Sequence, residues 1–144
     1  MNAEHLDLML DAALTKACEK LEKEQVLHPY VLTMDKNTFI EFSEDFSEDV
    51  YESDPEELIE DLYIRLRKRA EIDKILGSVL VCQVKVKPPG KSTYSSAVEA
   101  HVEYCDGSSY DCFLPFSKDG SQVNYGQIFS SETESKVFVK SKQD

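Results

Sequence analysis

The stretch SAVEAHVEYCDGSSYDCFLPF, Ser96 to Phe116, constrains the fold most. Two strictly alternating runs flank an Asp-Gly dipeptide, which is the pattern of a β-hairpin with one apolar face. Val98, Ala100, Val102 and Tyr104 fall on one side of the first run, opposite Glu99, His101 and Glu103. Tyr110, Cys112, Leu114 and Phe116 form the apolar side of the second. A two-residue loop would pair Tyr104 with Ser109 and put polar groups on the core face. A three-residue loop, Asp106 to Ser108, pairs Tyr104 with Tyr110, Val102 with Cys112 and Ala100 with Leu114, so all apolar residues share a face. This predicts a type I turn with a bulge and a left-handed Gly107.

A third alternating run, Val79 to Lys87, places Leu80, Cys82, Val84 and Val86 on one face. The same reasoning sets Val84 opposite Ala100, Cys82 opposite Val102, Lys85 opposite Glu99 and Gln83 opposite His101. Cys82 and Cys112 then stand two strand spacings apart, too far for a disulfide. With no CxxC pair and only His5, His28 and His101, zinc spacing is absent, and the cysteines read as free.

Two helices are expected. Leu6, Leu10, Ala13, Leu14, Ala17 and Leu21 make one stripe of a helix from about Ala3 to Gln25. The second starts at Asp54, a capping residue, followed by Pro55 and by Glu57 at the capping-box position. Its stripe is Leu58, Leu62, Leu66 and Ala70, with Ile59 and Tyr63 beside it, and Gly77 is expected to end it. The basic cluster Arg65, Arg67, Lys68 and Arg69 lies toward the negative end of the helix dipole and is explained by that and by pairs such as Asp61–Arg65, without nucleic acid. Between the helices, Tyr30–Met34 and Thr38–Phe42 read as a hairpin turning at Asp35-Lys36-Asn37. The expected fold is α+β: a five-stranded, mainly antiparallel sheet with two helices on one face, in the order α-β-β-α-β-β-β. An irregular tail with anchors Tyr125, Phe129 and Phe138 would lie across it. Residues 1–138 form a single domain and 139–144 a frayed end.

Gly90-Lys91-Ser92-Thr93 resembles the end of a phosphate-binding loop. The glycine required five positions before Gly90 is Lys85, inside a strand, and another strand follows where a helix is required. The segment reads instead as a hairpin connection.

The formal net charge is −12, and from Glu41 to Asp61 there are eleven acids and no Lys or Arg. That field disfavours nucleic acid and anionic membrane and favours a basic protein partner. Glu44, Asp45, Glu48, Asp49 and Glu52 are the candidate binding residues; a solubilising, solvated face is the plainer reading. No apolar run is long enough to span a membrane and no signal peptide is recognisable, so a cytoplasmic location is expected. A second candidate is the ligand face Glu99, His101 and Glu103, an O/N/O row on one strand suited to a divalent ion or small molecule. No nucleophile falls beside His101: Cys82 and Cys112 are assigned to the other face, and Cys105 to a loop edge. No catalytic residue, metal or cofactor is therefore assigned. The Glu99 and Glu103 carboxylates are expected to raise the pKa of His101.

The segments HPYVLTMDKN, SAVEAHVEYCDGSSYDCFLPF and VNYGQIF, in this order, resemble a group of small bacterial α+β proteins of unknown function. That resemblance implies no activity. The element order is similar to that of roadblock and longin domains, which implies scaffolding and dimerisation but no site residues. The leading expectation is a non-enzymatic interaction domain, as an adaptor or an immunity-like inhibitor. The alternatives are a ligand-binding or enzymatic domain centred on His101, and a structural homodimer, favoured by Phe113 and Val79–Val81 on an outer face.

Overall fold

The computed structural model describes residues 3–23, 27–43, 54–85, 96–120 and 122–138. Helix α1 spans Ala3–Lys23 and helix α2 spans Pro55–Ile72. The strands are β1 (Tyr30–Met34), β2 (Ile40–Ser43), β3 (Gly77–Lys85), β4 (Ser96–Tyr104), β5 (Ser109–Asp119), β6 (Gln122–Tyr125) and β7 (Phe129–Glu132). They form one antiparallel seven-stranded sheet in the order β2-β1-β3-β4-β5-β6, with β7 also paired to β5. The α+β class holds. The sheet has two strands more than expected because the tail supplies β6 and β7, QVNY and FSSE, each only four residues and too short for a strand pattern to stand out.

The helices do not share a face. Leu6, Met9, Ala13, Ala17 and Leu21 of α1 pack against Leu32, Val79, Val81, Val98, Ala100, Val102 and Cys112. Leu58, Leu62, Tyr63 and Leu66 of α2 pack against Val31, Leu80, Cys82 and Val137. These two clusters hold alternate residues of the same strands, so the helices cover opposite faces. The outer face expected at Val79–Val81 is therefore interior: all three residues are buried.

Coverage on both sides also explains the register. Gly77 to Cys82 is buried throughout, so apolar pattern cannot say which residues face which helix. Val79 pairs with Val102, Val81 with Ala100, Leu80 with His101, Cys82 with Glu99 and Gln83 with Val98. The sequence-based pairing of Cys82 with Val102 is thus corrected, and Cys82 and Cys112 lie on opposite faces, both as free thiols. In the next hairpin Val102 pairs with Tyr110, Ala100 with Cys112 and Val98 with Leu114. The apolar residues do share a face, two positions along from the expected register. The turn is as anticipated but one residue earlier. Gly107 N–H donates to the Tyr104 carbonyl (3.0 Å), Tyr104 N–H donates to the Ser108 carbonyl (2.9 Å), and Gly107 has φ 96°.

Asp54 caps α2, its carboxylate accepting the Glu56 N–H at 3.0 Å. The helix ends at Ile72, with Asp73 as C-cap and Lys74 at φ 53°, not at Gly77. Gly77 opens β3, where a Cβ would lie 2.6 Å from Met9 Cε and 2.9 Å from the Glu103 carbonyl oxygen. The fixed Glu103 carbonyl of β4, more than the movable Met9 side chain of α1, requires glycine there. In the first hairpin the left-handed residue is Thr38, at φ 67°, after the expected Asp35–Asn37 turn. The Asp35 carboxylate accepts the N–H groups of Asn37 (2.8 Å) and Phe39 (3.0 Å), which holds Thr38 there. Strands β3 and β4 pair as far as Lys85 with Ser96; the segment containing Gly90-Lys91-Ser92-Thr93, expected as a hairpin connection, lies outside the described residues. No helix among the described residues is long and apolar enough to cross a membrane.

Candidate functional site

Position in the sheet decides what Glu99, His101 and Glu103 can do. All three point to the α2 side of β4, a central strand. Asp111 of β5 is the cross-strand partner of His101, and Cys82 of β3 is that of Glu99. The expected solvated polar face is interior: His101 is 3% exposed and Glu103 0%.

Both ring nitrogens of His101 meet carboxylates, Nδ1 at 2.8 Å from Asp111 Oδ1 and Nε2 at 2.6 Å from Glu103 Oε2. A neutral imidazole has one N–H to donate, and its other nitrogen would face a carboxylate lone pair. The geometry requires the imidazolium. Burial by itself would lower the His101 pKa; the hydrogen bonds to Asp111 and Glu103, with their charges, prevail and raise it to about 9 from an ordinary 6.5. The direction matches the sequence-based expectation, although Asp111, not Glu99, is the second hydrogen-bonding partner. The edge of Tyr63 in α2 packs on the imidazole, with ring centroids 5.7 Å apart.

Glu103 has a second task. Its carboxylate accepts backbone N–H groups from Lys136 (2.8 Å), Val137 (2.9 Å) and Phe138 (3.2 Å). Three successive main-chain donors form a concave anion seat, filled here by a side chain of the same protein. Burial opposes the charge on Glu103, but the His101 and backbone hydrogen bonds outweigh it and hold the carboxyl below its usual range. The tail is fixed further by Arg67 Nε, which donates to the Lys136 carbonyl at 2.6 Å, and by Lys136 Nζ, 5.2 Å over the Tyr63 ring. Val137 is buried among Leu58, Leu62, Tyr63 and Leu66. Full burial of such a side chain stabilises by roughly 2 kcal/mol.

Glu99 is only half-buried. Burial and the Asp111 charge push its carboxyl up, and it accepts the Cys82 thiol at 3.4 Å. Cys82 is itself pushed up strongly, first by burial and then by Glu99, so it stays a thiol and is a poor nucleophile. Among the described residues no group of three or more His, Cys, Asp or Glu is arranged to hold a metal ion. The donors that sequence spacing aligned are spent on one another and on the tail. Sequence reasoning missed Asp111, Tyr63 and the 136–138 backbone, which come from three other elements. Phe113, expected on an open outer face, stacks on Phe129 of β7 at 5.0 Å.

The acidic candidates Glu44, Asp45, Glu48, Asp49 and Glu52 lie outside the described residues. Asp54, Glu56, Glu57, Glu60 and Asp61, from the same acidic run, are all exposed at the start of α2. Glu57, Glu60, Asp61 and Ile64 are three or four residues apart and so adjoin on one helix surface, where Ile64 is 45% exposed. The basic cluster is held in part by the protein's own groups: Arg67 approaches Glu60 at 3.8 Å, and Arg69 approaches Asp73 at 3.2 Å and Glu41 at 3.7 Å.

Comparison with protein-family models, curated proteins and solved structures finds no match to this chain.

Proposed function

We propose that this chain is a non-enzymatic interaction domain that engages a basic protein partner through acidic surface at and before the start of α2, as an adaptor or an immunity-like inhibitor. One observation carries the reading: Glu57, Glu60 and Asp61 lie on the N-terminal side of the exposed apolar Ile64 on one helix face, with Arg67 and Lys68 on its C-terminal side. Acids beside an exposed apolar residue suit a partner that presents Lys or Arg next to an apolar residue, and the charges give on-rate and selectivity. The inward-facing His101 cluster supports the non-enzymatic part of the reading, since each of its groups already has a structural role.

The test is capture from native host lysate at low and high salt, with mass spectrometry. Two neutralised variants are compared with the parent: Glu44, Asp45, Glu48 and Asp49 to Gln or Asn, and Glu57, Glu60 and Asp61 likewise. A basic protein that is lost at high salt and lost with either variant supports the proposal. Self-association alone, unaltered in both variants, contradicts it and favours the homodimer.

A further inference from the structure

A pocket of about 210 Å³ opens between α2 and the β1–β2 edge, away from the acidic helix start and from His101. Its floor is apolar, made by Val31, Leu62 and Leu66, all buried. Its rim is polar: Thr33, Ser43, Arg65 and Arg69. Arg65 and Arg69 are one helical turn apart and both line the pocket. Arg69 is held in place, donating from Nη1 to Thr33 Oγ1 at 3.0 Å and from Nε to Asp73 Oδ2 at 3.2 Å. Its Nη2 faces Glu41 Oε2 at 3.7 Å, beyond hydrogen-bond range, and the Glu41 side chain is 69% exposed. So loose a contact contributes little, and Glu41 marks where a carboxylate is attracted without being seated.

We propose that this pocket binds a small organic carboxylate, with its apolar body on Val31, Leu62 and Leu66 and its carboxylate between Arg65 and Arg69. The volume lies below the roughly 300–1,000 Å³ of drug-sized sites, which restricts the occupant to a short aliphatic or single-ring acid. An apolar floor disfavours inorganic anions, which cannot fill it, and the two guanidinium charges, of which Arg69 is held in place, disfavour neutral isosteres. The carboxylate displaces Glu41 from Arg69 Nη2, so Glu41 acts as an internal competitor. The proposal does not rest on a protein partner.

The experiment is a titration of amide chemical shifts by NMR, with hexanoate as probe and with hexanol and inorganic phosphate as controls. The expected result is saturable shifts at Val31, Thr33, Leu62 and Leu66 with hexanoate. Affinity should fall about tenfold in Arg65→Gln, the loss of one charge-assisted contact, and rise about twofold in Glu41→Gln as the competitor is removed. Both substitutions are at exposed positions, so folding is preserved. No saturable shift at these amides, equal binding of hexanol or of phosphate, or an affinity unmoved by Arg65→Gln would each overturn the proposal.

Discussion

At the scale of single residues, the buried pair His101–Glu103 organises one face of the molecule. Removing one partner of such a pair leaves the other charge buried and uncompensated. In Glu103→Gln the amide oxygen can accept one or two of the three tail N–H groups, but the amide nitrogen is a donor facing donors. The expected cost is about 3–5 kcal/mol, measured as a shift in the urea midpoint. A loss below 1 kcal/mol would mean that the tail is not tied by this carboxylate. The sequence placed Glu99, His101 and Glu103 on one face, and it also indicated the upward shift of His101. What it could not indicate is that the face is interior. That depends on α2 and residues 136–138, which are distant in sequence and carry no pattern that points to His101. The apolar alternation of β4 was equally compatible with one solvated side.

At the scale of elements, local signals were read well and pairings poorly. The α2 start needed only Asp54 and its neighbours, and the β4–β5 turn needed only Gly107, so both were legible. The β3–β4 register was not, because Gly77 to Cys82 is apolar on both faces and offers no alternation to align. The same burial gives Gly77 its meaning. In Gly77→Ala the new methyl would overlap Met9, which can move, and the Glu103 carbonyl oxygen at 2.9 Å, which is fixed in the sheet. The expected destabilisation is about 1–3 kcal/mol, and thermal unfolding measures it. Restoring space with Met9→Ala in the same chain should not recover it, since the backbone contact remains.

At the scale of the whole molecule, the sheet is a divider with a helix on each side, and Glu99, His101, Glu103 and Asp111 face α2. The pH dependence follows from their shifted groups. His101 has a folded pKa above its unfolded value, so its contribution is fully present below 6.5 and is lost as pH rises through about 9. Glu99, also raised, lowers stability as pH climbs above its usual 4.5. Glu103 is lowered, so its contribution is present above 4.5 and lost as pH falls through its folded value. Between pH 6.5 and 9 stability should therefore decline, by at most about 3 kcal/mol from His101, and that part of the decline should vanish in His101→Gln. Urea midpoints at pH 6.5 and 9 for both proteins check this; equal declines in the two would assign the slope elsewhere.

The central claim is that His101, protonated at neutral pH, ties β4 to β5 through Asp111 and to the tail through Glu103. The most direct measurement is an NMR titration of its ring nitrogens in the folded protein. Both nitrogens should be protonated at pH 7, with the transition near pH 9. A neutral ring at pH 7, titrating at 6.5 or below, would contradict the account and favour the ligand-binding or enzymatic alternative centred on His101.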